Sequence, residues 1–283
     1  PSFSWLSVAE MVLLCGCKPV YLDTSLSTFN IDEKLIEKKI TKKTKGIIST
    51  SLFGRSADLF YIKRICKKHK LFFIEDAAQN FGSIIKKKNS CNIADMTITS
   101  FFPSKTLGSY GDGGAIFTNN KKIFEKIKNL RNHGQQSYSI SKMIGLNSRI
   151  GTIQASILLE KIKKLNFKIK NQKKIYIKYQ NFFIKNKIEG FPKYRKQHYD
   201  DVYGQFSILI KKRKVFIKHL KNNKIPFKVY YPLPLYRQFN QKNNVFLKNT
   251  EFLCKHIISL PHNDMSQVRF KMILNFLRKI IKF

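Results

Sequence analysis

What most constrains this chain is an apolar run that ends abruptly at a proline, just short of a lysine and a glycine-rich loop. Met96 to Phe102 is strand-like, Pro103 stops it, and Lys105 leads into Gly108, Gly111, Gly113 and Gly114. A lysine at the carboxyl end of a buried strand has its amine desolvated, which lowers its pKa and makes it a nucleophile. The glycines predict close approach of the backbone to a ligand. In a chain rich in lysine, that placement sets Lys105 apart.

A second run, Leu71-Phe-Phe-Ile-Glu-Asp76-Ala-Ala-Gln79, is continuously apolar and closes in acids. It reads as a buried parallel strand with Asp76 at its end. Ligands of open α/β sheets gather outside the carboxyl ends of the strands, so Asp76 and Lys105 are predicted on one rim. A lysine that condenses with an aldehyde and a carboxylate that pairs with a protonated pyridine nitrogen suit pyridoxal phosphate. Spacing alone leaves a plainer alternative open, in which Asp76 caps the following helix and Lys105 is merely solvated.

Around these runs, helix and strand patterns alternate. Helices are predicted over Val8–Leu14, Ile31–Lys39, Ala57–His69 and Lys122–Leu130. Strands are predicted over Pro19–Leu22, Gly46–Phe53, Leu71–Ile74, Met96–Phe102 and Ala115–Thr118. The alternation argues for an α/β layered domain. A long amphipathic stretch runs from Thr152 to about Lys185. Strands over Phe206–Ile210 and Lys228–Tyr231 and a closing helix from Gln267 to Ile281 follow. This shift predicts a large domain over residues 1–160 and a smaller α+β domain over 161–283.

Five segments together resemble a known family. They are Phe73-Ile-Glu-Asp76-Ala-Ala-Gln79-Asn-Phe-Gly82, Ser100-Phe-Phe-Pro-Ser-Lys105, Tyr110-Gly-Asp-Gly-Gly114, Arg131-Asn-His-Gly134 and Gly145-Leu-Asn147-Ser-Arg149. In order and spacing they are similar to the DegT-type nucleotide-sugar aminotransferases, densely to about Lys164 and more loosely afterwards. The wording of the lysine loop is nearest to members that aminate UDP-linked 3-keto-hexuronic acids. The resemblance implies an aspartate aminotransferase-like α/β fold (pyridoxal phosphate fold type I) with a smaller α+β C-terminal domain.

By position, the resemblance makes Lys105 the catalytic lysine, bound to the cofactor and shuttling protons. It makes Asp76 the partner of the pyridine nitrogen and puts Gln79 on the ring's hydroxyl side. Ser100 falls on the cofactor phosphate, and Trp5, the only tryptophan, on the ring face; plain core is Trp5's alternative. Asn147 is implied to reach the phosphate of a neighbouring subunit's cofactor, so active sites are shared in a homodimer. Arg149 is implied to contact the sugar or its diphosphate from that neighbour, a task for which its planar fork is suited. A surface ion pair is the alternative for Arg149. Val229-Tyr-Tyr231-Pro-Leu-Pro-Leu-Tyr-Arg237-Gln resembles a substrate-side segment and makes Tyr231 a substrate-binding candidate. Tyr230 and Tyr236 stand where relatives usually carry histidine, which bears on substrate identity.

Relatives that dehydrate replace the catalytic lysine by histidine, and relatives acting on cyclitols carry a glutamate-containing loop in place of Tyr110–Gly114. The implied reaction is therefore ping-pong transfer of an amino group from glutamate to a nucleotide-linked keto-sugar, with a UDP-3-keto-hexose derivative favoured by the loop wording, for surface polysaccharide or glycan precursors. Family members also have an earlier Gly-Thr helix start that cradles the cofactor phosphate. Here the chain opens at Pro1 inside the motif that carries Trp5, so the large domain is expected to lack its first elements. A non-catalytic remnant, or a partner subunit of that fold, is the competing expectation.

The chain carries 54 Lys and Arg against 17 Asp and Glu, a net charge of +37. A basic face can bind nucleic acid or anionic lipid. The cations are instead mostly lysines spread over the whole length, as in Lys86-Lys87-Lys88 and Lys211-Lys212, beside apolar residues of helices. That is the look of solvated faces, and abundant Lys, Asn, Ile and Phe fit an AT-rich coding sequence. No specific nucleic-acid partner is expected. Five cysteines, at 15, 17, 66, 91 and 254, form no zinc pattern and predict free thiols in a reducing, cytoplasmic setting. No apolar run approaches the ~18 residues of a membrane span.

Overall fold

The computed structural model describes the chain apart from residues 138, 196, 240–244, 263–264 and 281–283. Its centre is a four-stranded sheet. Gly46–Thr50, Phe72–Asp76 and Met96–Ser100 run parallel, and Gly114–Phe117 closes the row antiparallel to the third. The register sets Thr50 opposite Asp76 and Asp76 opposite Ile98, so all three parallel strands end along one rim.

The helix Leu59–Lys68 covers one face. Asp58 starts it by accepting the Tyr61 N–H at 3.0 Å. Leu59, Ile62, Ile65 and Cys66 recur at helical spacing and are buried with Ile47 and Phe73. Asn120 caps Lys121–Leu130 through the Lys122 and Ile123 N–H groups.

The expected long amphipathic stretch is two helices, Thr152–Ile162 and Leu165–Lys185. Lys164 leaves helical geometry between them (φ −102°, ψ 3°), and Leu158 and Leu165 both turn in against Leu107. The second helix supplies Tyr176, Tyr179 and Phe183 to a separate core. That core also takes Phe206 and Ile208 from an antiparallel pair, Phe206–Leu209 with Ile257–Leu260, and Ile273 and Leu277 from the helix Gln267–Ile280.

Several local expectations are corrected. Pro19–Leu22 is extended and forms no strand: Tyr21 and Leu22 are buried, but no neighbour offers a ladder. The predicted helix over 31–39 is two 3₁₀ turns, Glu33–Leu35 and Glu37–Lys39. Lys228–Tyr231 reduces to a single bridge from Lys228 to Ser259. Helices Arg213–Asn222 and Lys248–His256 were hidden by their lysine content.

The two cores meet through a third cluster. Phe3, Phe29, Leu52 and Phe53 pack with Tyr231, Leu253 and Ile257. Beside it the Gly54 carbonyl accepts the Val202 and Tyr203 N–H groups at 2.9 and 3.1 Å. A Cβ on Gly54 would lie 2.4 Å from the Gly204 nitrogen, so this approach requires glycine.

Candidate active site

Asp76 is the last residue of its strand and is 6% exposed. One carboxylate oxygen accepts the Ala78 N–H at 3.0 Å; the other meets the Thr50 hydroxyl at 3.5 Å. Thr50 in turn accepts from the Ser4 hydroxyl at 3.1 Å. The Asp76 side chain bonds back into its own turn, and no helix follows for it to cap.

Burial pushes the Asp76 carboxyl above its ordinary value, opposed by the Ala78 N–H, the charge of Lys105 and the Thr50 hydroxyl. Burial likewise holds the Lys105 amine below its ordinary value, opposed by the charge of Asp76. The two groups thus lie close enough for each charge to act on the other. Lys105 is half-buried, its backbone N–H tied to the Phe102 carbonyl at 2.9 Å.

The glycines after Lys105 are required by the packing of the chain itself. A Cβ on Gly108 would stand 2.5 Å from the Pro103 carbonyl oxygen, and one on Gly114 would stand 2.7 Å from that of Thr99. One on Gly113 would meet Ile150 at 2.9 Å. The loop is further fixed by Lys161, whose ammonium bonds the Gly108 carbonyl at 2.7 Å and lies over the Tyr110 ring.

Gln79 sits in the turn after Asp76. Its side-chain oxygen accepts the Phe53 N–H at 2.8 Å, and its nitrogen donates to the Tyr231 hydroxyl at 2.9 Å. Phe53 makes that bond from a left-handed backbone, φ 58°. Tyr231 is buried, its ring edge-on to Phe3, and burial raises its hydroxyl pKa. Trp5 lies 6.0 Å from the Tyr231 ring and keeps 52% of its surface exposed, so it is not plain core. Ser100 ends its strand at the same rim, its hydroxyl accepting the Phe102 N–H at 3.2 Å.

Asp76, Gln79, Ser100, Lys105, Trp5 and Tyr231 are therefore brought to one end of the sheet. Asn147 and Arg149 are not joined to them by any described contact. Both are exposed on the loop beyond the hairpin of Gln135–Ser137 and Ile140–Ser141, where Asn147 bridges to Asn132 and the Arg149 guanidinium donates to the Asn132 side chain at 2.5 Å. No carboxylate pairs with Arg149 among the described residues. Sequence reasoning missed Ser4 and Thr50; only the strand register, which puts Thr50 opposite Asp76, reveals them.

Residues 1–278 match the model of the DegT/DnrJ/EryC1/StrS aminotransferase family. The chain belongs to that family. A UDP-2-acetamido-2-deoxy-3-oxo-D-glucuronate aminotransferase of Pseudomonas aeruginosa is 41% identical over 238 residues, covering 84% of this chain and 66% of that protein. The chain spans about two thirds of the length of the first curated relatives it matches. A DegT DnrJ EryC1 StrS aminotransferase from Brucella abortus superposes with a TM-score of 0.92 at 30% identity, over 99% of this chain and 78% of that one. NtdA from Bacillus subtilis with bound cofactor PMP gives 0.91 at 27% identity, over 100% and 67%. The architecture is thus pyridoxal phosphate fold type I, as the resemblance implied. Among the described residues, no helix is long and apolar enough to cross a membrane.

Proposed function

We propose that this protein binds pyridoxal 5'-phosphate at the Asp76–Lys105 rim and transfers an amino group from glutamate to a nucleotide-linked keto-sugar, a UDP-3-keto-hexose derivative. The observation that carries this reading is a buried carboxylate and a partly buried amine, each under the other's charge, on the family's motif positions. The donor set fits the cofactor: an anion for a protonated ring nitrogen, an amine for an aldehyde, and a half-exposed indole beside them.

When bound, the cofactor supplies the electron sink and carries the amino group between donor and acceptor. Asp76 holds the proton on the pyridine nitrogen, and the Ala78 N–H and Thr50 hydroxyl keep its carboxylate aimed. An opposite charge within about 4–6 Å of the ring nitrogen would stabilise its proton by about one to three pKa units. The Lys105 amine, whose pKa burial lowers, would hold the cofactor through its aldehyde, and as a free base it would move a proton at the substrate carbon. Gln79, itself fixed by Phe53 and Tyr231, addresses the ring hydroxyl; Ser100 addresses the phosphate; Trp5 covers the ring face. Tyr231 is the substrate-side candidate and holds Gln79 through its hydroxyl.

Asn147 and Arg149 serve a second subunit in a homodimer, Asn147 at its cofactor phosphate and Arg149 at the sugar diphosphate. Their exposure supports this, as do the nearby exposed Ile144, Leu146 and Ile153. The domain boundary lies near residue 160, supported by the separate cores on either side. The setting is cytoplasmic, where nucleotide-sugars are made and where the five free thiols persist.

The test supplies pyridoxal phosphate, glutamate and a UDP-3-keto-hexuronate and follows the aminated sugar by mass spectrometry. Amination at carbon three supports the proposal. A folded chain that does not bind the cofactor removes the proposal in favour of the non-catalytic reading, and cofactor binding without amination removes this substrate.

A further inference from the structure

Glu75 precedes Asp76, is fully buried, and takes no part in the chemistry above. Its side chain collects three donors from three different elements. The Ser51 hydroxyl and the Asn80 amide both reach one oxygen at 3.1 Å, and the Thr97 hydroxyl reaches the other at 3.4 Å.

Each partner adjoins a group that Asp76 or the rim depends on. Ser51 follows Thr50, whose hydroxyl meets Asp76, and the Ser51 N–H also donates to the Asp76 carbonyl at 3.1 Å. Asn80 closes the turn that presents the Ala78 N–H and Gln79, and its amide is also held by Ser56. Thr97 lies on the strand that ends in Ser100.

We propose that Glu75 is a positioning residue of this centre, tying the residue after Gly46–Thr50, the turn that holds Gln79 and the strand Met96–Ser100 together so that Asp76, Gln79 and Ser100 hold their places for the cofactor. This rests on the function proposed above. The charged and titratable groups that face Glu75 are Asp76 on its own strand and Cys91 from the turn Ser90–Asn92. No cation bonds it among the described residues. Burial first, and the charge of Asp76 last, lift its carboxyl from 4.5 to about 7, against its three hydrogen bonds. Burial thus favours the protonated carboxyl below about pH 7, while the donors Ser51, Asn80 and Thr97 favour the carboxylate.

The sign of the linkage follows. Between pH ~4.5 and ~7 the folded chain keeps a proton that the unfolded chain has lost, so stability falls as pH rises through that window. Asp76 adds a slope of the same sign at its lower end.

The experiment compares the full chain with Glu75→Gln and Glu75→Leu. Cofactor affinity is read by absorbance titration with pyridoxal phosphate, and melting temperature is read from pH 4.5 to 7.5. Glu75→Gln, neutral and of the same shape, is expected to restore affinity to within about 3-fold of the parent and to flatten the fall in melting temperature. Glu75→Leu is expected to weaken affinity about 10-fold or more, through loss of the hydrogen bonds from Ser51, Asn80 and Thr97. Should Glu75→Leu not fold, Thr97→Val removes one donor and is expected to weaken affinity by several-fold.

Affinity in Glu75→Leu or Thr97→Val equal to the parent overturns the proposal. So does a 10-fold loss in Glu75→Gln, which would mean that the charge is what matters. If the parent itself does not take up pyridoxal phosphate, the functional reading fails; the pH dependence of melting still reports separately on Glu75.

Discussion

The Asp76–Lys105 rim and the Asn147–Arg149 loop carry the same family motifs and are built in opposite ways. At the rim, Asp76 and Glu75 are buried and bonded by neighbours within their own fold unit. On the loop, Asn147 and Arg149 are exposed, and Ile144 beside them is 96% exposed. A rim whose carboxylates are already hydrogen-bonded is organised before any ligand arrives. A loop of exposed apolar and cationic groups is the kind of surface that proteins use for interaction. The contrast separates a rim whose bonding lies within the chain from a loop whose proposed work lies on a second subunit.

The largest effect expected is at Lys105. Lys105→Ala lowers amination by ~10²–10⁴-fold, the range for removing a positioned proton-transfer group, measured by product formation under saturating cofactor. Asp76→Asn follows, with a loss of ~10- to 1,000-fold from one to three pKa units at the ring nitrogen. Its absorbance spectrum should shift even where cofactor stays bound.

Arg149→Ala sharpens the comparison from the other side. It is expected to leave cofactor affinity intact and to raise the KM for the nucleotide-sugar by ~10- to 100-fold, the scale of a lost charge-assisted contact. Mixing Arg149→Ala with Lys105→Ala should restore part of the activity through mixed dimers. Activity that stays at the level of the two separate variants would break the division between the regions.

The smallest effect is at Tyr231. Tyr231→Phe leaves the Gln79 nitrogen without its partner and costs about 1 kcal/mol, a fall of ~2–4 °C in melting temperature.

The sequence carried the rim well because its logic is local. An apolar strand ending in Asp76, and another stopped by Pro103 ahead of Lys105, announce their ends within a few residues. Thr50 and Ser4 were not legible, because their contact with Asp76 depends on which strands are neighbours and in what register. The Gln79–Tyr231 bond joins residues 152 apart, beyond any periodicity. Pro19–Leu22 misled for a related reason: β-branched and aromatic residues suit a buried extended segment whether or not a ladder exists. The glycines after Lys105 were recognised as necessary, but the neighbours that require them, Pro103, Thr99 and Ile150, appear only in three dimensions.

The central claim is that Lys105 and Asp76 share one pyridoxal phosphate. Its most direct test loads the protein with the cofactor, reduces the lysine–cofactor bond with borohydride and maps the peptides by mass. The account predicts one stoichiometric label, on Lys105, and a reduced yield in Asp76→Asn. A label spread over surface lysines, or none at Lys105, would contradict it.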